Sequence, residues 1–339
     1  MPRKFVQVQI LVMLAAMVAL PVIAQKQAKT EKEEKAAQKA ANAPPAIWTD
    51  PGDVSTIDLF YGAGGKDHAP DPNAKYKFDK EDMAGTNPKF DVVDDQGVHW
   101  KVKMGEESQA ETVATRLLWA AGYFVDEDYY LAALKVENLP KLKRGGKYIT
   151  GDIAHGVRMK RREKDEGKLG DWDWFKNPFV GQREFNGLKM MMALVNNWDL
   201  AADNNAIRLE DGRREYYVKD VGASFGKTGE VFTRSKSDPH DYVESKFVQK
   251  ENAEYVDFVM HSRPFVLSAV DVPNYDKRTK MQDITKHIPV DDARWLGQRL
   301  AMLSENQIKD AFRAGGYSPS EVDEYTIAVM NRIAELKAL

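Results

Sequence analysis

Between Tyr76 and Lys103 the apolar residues alternate with polar ones in short runs separated by turn residues. Tyr76–Asp79 and Lys89–Val93 are divided by Gly85-Thr-Asn-Pro88, and Asp94-Asp-Gln-Gly97 leads into Val98-His-Trp-Lys-Val-Lys103. Period-two alternation bounded by Gly, Pro, Asn and Asp predicts an antiparallel meander of three strands. The period then changes. Within Glu106–Gly122, Val113, Leu117 and Ala120 or Ala121 recur at helical spacing before a glycine stop, which predicts a helix. Tyr129–Val136 reads as another strand, and the basic, turn-rich Pro140–Gly146 as a connection between lobes.

The second half reads in the same way. Gln182–Asn196 carries Phe185, Leu188, Met191, Met192 and Val195 on one helical face. Ala206–Leu209 and Glu215–Val218 flank Glu210-Asp-Gly-Arg213 as a hairpin. From Asp241 onward the pattern is mostly helical, clearest in Val290–Met302 and Glu321–Leu336. The fold class expected is α+β: a small antiparallel-sheet lobe over 47–136 and a larger, mainly helical lobe over 137–339.

The N-terminus is organised differently. Met1-Pro-Arg-Lys4 is basic, an apolar stretch is centred on Ile10–Ala24, and small residues precede Gln25. That is the pattern of a signal peptide over 1–24, cleaved after Ala24, and it is short for a spanning helix because Gln7 and Gln9 interrupt it. The body of the chain is therefore expected to be exported, to the periplasm or beyond in a bacterium, touching membrane only through this segment if it stays uncleaved. Residues 25–46 are Lys, Glu, Ala and Gln without an apolar face and close on Pro44-Pro45, the composition of a solvated tether.

Composition then narrows the chemistry. The 339 residues are 43% hydrophobic and 30% charged, enough for a large core. A net charge of -3 with scattered basic residues leaves no nucleic-acid footprint. No cysteine is present, which excludes disulfides, thiolate catalysis and cysteine-ligated zinc. The six histidines show no zinc-hydrolase spacing. Trp172 and Trp174 in Asp171-Trp-Asp-Trp-Phe175 are expected to pack as apolar groups rather than to stack a sugar or base.

What remains is an ordered constellation: Lys103 at a strand end, Glu111 on the next helix, then Asp199, Asn204 and Asp220-Val-Gly222. This order resembles the kinase-like superfamily, in its atypical branches: HipA-like kinases, phosphatidylinositol kinases and kinases of the secretory pathway. The resemblance covers roughly residues 79–226 and implies a two-lobed kinase-like fold with ATP and Mg or Mn in the cleft. It implies that Lys103 contacts phosphates and Glu111 pairs with it. Asp199 would serve the acceptor hydroxyl, and Asn204 and Asp220 would bind metal. Gly85 and Thr86 stand where the phosphate loop belongs, and Gly222 would permit the turn after Asp220.

The chain also departs from that pattern. Asn197-Trp198 precede Asp199, Ala201 stands where the family has lysine, and the phosphate loop has one glycine. These departures support an alternative, a non-catalytic pseudokinase acting as an envelope binding or scaffolding module. The partner implied is a nucleotide, with a protein, lipid or small-molecule acceptor left open.

Overall fold

The computed structural model describes residues 40–162, 168–228, 234–260 and 280–339. The leader segment, the tether up to residue 39, part of the 161–170 insertion and His261 lie outside them. The tether's end is not a solvated strand of chain. Ala40 and Ala43 are buried, and β1 (Pro45–Ala46) pairs in parallel with Arg214 and Glu215. The folded body thus begins at Ala40, because the edge strand beside it offers unpaired backbone groups that this segment satisfies.

The alternating segments form β2 (Tyr76–Asp82), β3 (Lys89–Val93) and β4 (His99–Met104), paired antiparallel as the sequence predicts. Helix α1 (Glu107–Ala120) follows, then β5 (Asp128–Glu137), β6 (Ile149–Thr150) and β7 (Ile153–Arg162). β5 pairs with β2 and with β7, and β7 returns to β4, so five strands close into a ring with β6 appended. The sheet lobe therefore ends at Arg162, not at Val136. Residues 140–146 are a loop within that lobe, where Arg144 donates to the carbonyls of Asp82 and Gly85 at 2.8 and 2.6 Å.

Alternation decides what fills the ring. Phe90, Val92, Trp100, Val102, Met104, Val157 and Met159 point inward and are almost fully buried. Each large side chain removed from water contributes about 1.5–3 kcal/mol. Their neighbours Asp91, Lys101, Lys103, Arg158 and Lys160 consequently lie on the outer face.

The larger lobe comprises β8 (Lys168–Gly170), α2 (Arg183–Leu194), the hairpin β9 (Asn205–Glu210) and β10 (Arg213–Val218), and α3 (Pro239–Glu244). It continues with β11 (Val248–Glu251), β12 (Tyr255–Phe258), β13 (Ile288–Pro289), α4 (Val290–Leu300), α5 (Glu305–Ala314) and α6 (Pro319–Ala338). The small sheet β11–β12–β13 corrects the mostly helical expectation for this region. Helices α5 and α6 each begin with a capping box, Ser304 with Gln307 and Ser318 with Glu321. Trp172 and Trp174 are buried in the core with ring centroids 4.8 Å apart, as packing residues. Among the described residues no helix is long and apolar enough to cross a membrane.

One helix fixes the lobes to one another, and one buried arginine ties the larger lobe together. Ala110, Val113, Ala114, Leu117 and Leu118 of α1 belong to the hydrophobic core of the larger lobe, although α1 follows directly from β4. Buried Arg332 of α6 donates to the carbonyls of Ala193 and Leu194 and to Asn196 Oδ1. It thereby satisfies the last carbonyls of α2, where a cation is also favoured by the helix dipole.

Candidate active site

Gly105, at φ 112°, turns the chain from β4 into α1 within two residues. A strand end is thereby set against the first turn of a helix, and Lys103 meets Glu107 at 2.6 Å and Glu111 at 3.0 Å. Across the cleft, Asp220 Oδ1 approaches the same ammonium at 2.5 Å. Lys103 thus faces three carboxylates with its three N–H bonds.

Burial alone would drive the Lys103 ammonium toward its neutral form, but Glu111, Asp220 and Glu107 outweigh it and hold the pKa above the usual lysine value. The carboxylates respond in kind. Burial pushes Glu107 up, yet Lys103 and Lys236 hold it below the usual range. Asp220 behaves likewise: Lys103, Arg158 and Lys89 prevail over desolvation.

Glu111 is gripped from its other side. Arg158 of β7 donates from Nε and Nη2 to its two oxygens at 3.2 and 3.1 Å, a two-point contact that fixes the carboxylate's plane. Arg158 also lies 3.4 Å from Asp128, which is deeply buried. Burial raises the Asp128 carboxyl to about 7; Arg158 opposes this, and nearby Glu111 and Asp126 reinforce it.

The loop between α2 and β9 carries the other two residues. Asn196, at φ 54°, ends the helix, and backbone bonds from Phe225 to Val195, Trp198 to Ala223 and Lys219 to Asn204 lay this loop beside residues 219–225. Asn204 Nδ2 donates to the Asp199 carbonyl at 3.0 Å, so its Oδ1 is the end of the amide left for a cation. Asp220 itself has φ 51° and an exposed side chain. The left-handed residue of the turn is thus Asp220, not Gly222. Gly222 answers a different need, since a Cβ there would lie 2.6 Å from the Cβ of Glu107.

Gly85 and Thr86 are exposed in the β2–β3 turn, where their carbonyls face Arg144. Their neighbour Asn87 reaches the site itself and donates to Glu107 at 2.6 Å. The structure therefore brings Lys103, Glu111 and Asp220 into contact and lays Asn204 alongside, with the Gly85-Thr86 turn tied in through Asn87. Among the described residues no three His, Cys, Asp or Glu side chains cluster as a metal site. Asp220 and Asn204 each carry a side-chain oxygen of the kind a hard cation takes.

Sequence reasoning missed Glu107, Arg158 and Lys236. Glu107 had a signal, four residues after Lys103 and in the first turn of a helix. Lys236, which meets Glu107 at 2.8 Å, had none.

No protein-family model matches the chain, and no curated protein matches it. Two solved structures align with most of the chain at low structural similarity. A proinflammatory kinase of Helicobacter pylori, CtkA, is 11% identical over 78% of this chain and 92% of its own, with a TM-score of 0.43. An amicoumacin kinase, hAmiN, in complex with AMP-PNP, Ca2+ and Ami, is 10% identical over 78% and 90%, with a TM-score of 0.25. Likeness at this level says nothing about activity. The chain's own geometry, a sheet lobe joined through a lysine, a helix glutamate and a turn aspartate to a mainly helical lobe, is a two-lobed α+β architecture.

Proposed function

We propose that the chain is an exported kinase-like phosphotransferase that moves a phosphoryl group from ATP or a related nucleotide to an acceptor hydroxyl, with Mg or Mn. The observation that carries this reading is Lys103 bound at once by Glu111 of α1 and by Asp220 at the exit of β10. Export rests on the signal-like pattern of residues 1–24.

Lys103 would contact donor phosphates. Its N–H bonds are all engaged, so movement of Asp220 away from it would release one to a phosphate oxygen. Asp220 and Asn204 would hold the metal, whose charge would offset that of the phosphates. Asp199 would orient the acceptor hydroxyl and take its proton. Catalysis of this kind is positioning and charge stabilisation, with no covalent enzyme intermediate.

A second reading, a non-catalytic binding or scaffolding module, is favoured by the saturation of Lys103 and by Ala201 in the loop after Asp199. Thermal melting with ATP and Mg or Mn, together with phosphoryl transfer assays, separates the two. Ligand-induced stabilisation without transfer to any acceptor or to water supports the module. Absence of stabilisation at millimolar nucleotide removes the nucleotide cleft altogether.

A further inference from the structure

A cavity of about 290 Å³ opens where the two lobes meet, close to the lower bound of ordinary small-molecule sites, about 300 Å³. Trp119 of its wall lies in the last turn of α1, Phe124 and Asp126 follow in the connection to β5, Arg161 stands on β7, and Glu210 and Tyr217 belong to the β9–β10 hairpin. Lys103, Glu107, Glu111, Asp199, Asn204 and Asp220 are all absent from that wall. Trp119 follows Glu111 by about 12 Å along the axis of the same helix.

Most polar groups around this cavity are already engaged with one another. Asp126 meets Lys160 at 3.0 Å and Arg208 at 2.6 Å, Glu127 meets His68 at 2.8 Å, and Glu210 accepts from the Tyr217 hydroxyl at 2.5 Å. Arg161 is the exception. It is half-buried, yet among the described residues its guanidinium has no ion pair, no hydrogen bond and no ring beneath it. Trp119 stands out in the same way. Of the seven tryptophans it alone has no ring neighbour, no cation over its face and no partner for its indole N–H among the described residues. Half-buried Phe124 extends the aromatic surface, its ring 5.8 Å from that of Tyr217.

We propose that this cavity is a second ligand site, which takes a planar aromatic molecule bearing one carboxylate. The ring lies against Trp119 and Phe124, where aromatic surfaces pair favourably. The carboxylate meets the Arg161 guanidinium, whose planar fork can give it two parallel N–H bonds. Glu127 and Glu210 in the same wall oppose a further negative charge, which limits the ligand to a single anionic group. The inference stands apart from the phosphotransferase reading, since it uses none of that reading's residues.

The test is titration calorimetry and thermal melting of the full chain with 2-naphthoate as probe, at matched ionic strength. Binding should raise the melting temperature. 2-Naphthylmethanol, which has the ring without the charge, acetate, which has the charge without the ring, and naphthalene-2,6-dicarboxylate should each bind about tenfold or more weakly than 2-naphthoate. Arg161→Gln should melt like the wild type without ligand, because that guanidinium holds nothing in the fold, and should bind 2-naphthoate no better than 2-naphthylmethanol. Trp119→Ala should lose both ring-bearing probes. Saturating ATP with Mg should leave 2-naphthoate in place. Absence of binding at millimolar 2-naphthoate overturns the proposal. So do equal affinity for the uncharged or the doubly charged ring, full binding by Arg161→Gln, and displacement by ATP.

Discussion

Lys103 and Asp220 are 117 residues apart in sequence and meet at 2.5 Å, joining the sheet lobe to the turn after β10. The contact has an unequal environment, for Lys103 is buried and the Asp220 side chain is about half exposed. Removing one end therefore differs from removing the other.

Asp220→Asn should fold and melt close to the wild type, because asparagine tolerates the positive φ that alanine would occupy at a cost of about 1–2 kcal/mol. Its stabilisation by metal plus nucleotide should vanish. Lys103→Met, in contrast, leaves Glu107 and Glu111 buried with fewer cations and should lose about 3–5 kcal/mol of stability. Urea unfolding and ligand-shift melting check both. A stable Lys103→Met chain, or an Asp220→Asn chain that keeps its metal-dependent shift, contradicts the site.

Asp199→Asn should abolish transfer while leaving the ligand-induced melting shift intact, since the interactions seen through its backbone N–H and carbonyl survive the change. Retained turnover would place the proton acceptor elsewhere.

Gly222→Ala should destabilise by about 1–3 kcal/mol, because the added methyl must displace Glu107 and with it the start of α1. Glu107→Gly in the same chain removes the obstructing Cβ together with the rest of the side chain. The double variant should then lose less than the sum of the two single losses, as a double-mutant cycle would reveal. Strict additivity would mean that the two residues do not press on each other.

Asp128 sets a pH dependence of defined sign. Its carboxyl is raised to about 7 by burial, with Arg158 and Lys160 opposing and Glu111 and Asp126 reinforcing that shift. The folded state therefore binds a proton more tightly than the unfolded chain, whose aspartate titrates at about 3.9. Stability from this group is complete below about pH 4 and is lost as pH rises toward 7. Asp128→Asn mimics the protonated form, so the melting temperature of the wild type should fall relative to the variant across that window. A difference that stays constant from pH 4 to pH 8 would show that Asp128 is ionised throughout.

A chain beginning at Trp48 should melt several degrees below one beginning at Ala40. The shorter chain deprives the Arg214 backbone N–H of the Pro44 carbonyl and its Nε of the Ala43 carbonyl. Equal melting temperatures would mean that β1 contributes nothing.

Much of the sheet lobe was legible because alternation is local: Phe90, Val92, Trp100 and Val102 declare an inner face without reference to any partner. Ring closure was not legible. It depends on β4 pairing with a strand more than fifty residues later. Lys103 and Glu111 could be read from a strand end followed by a helix, and Asp220 from its order after Asp199 and Asn204. Arg158 and Arg332 could not, because each is a buried cation whose partners converge only in three dimensions. The segment 40–46 was misread for a related reason: its composition is that of solvated chain, and only the free edge of β10 holds it down.

Closure of the barrel also dictates when this protein can fold. Until Ile153–Arg162 has left the ribosome, β4 keeps an unpaired edge and the inner residues of β2 to β4 lack a lid. The meander can form early, but β7 must arrive before the ring and the Arg158 grip on Glu111 exist. Pairings over such separations are slow to find and leave an edge exposed to neighbouring chains while they form. Without cysteine to lock an intermediate, this step is where a chaperone would be most useful to the molecule.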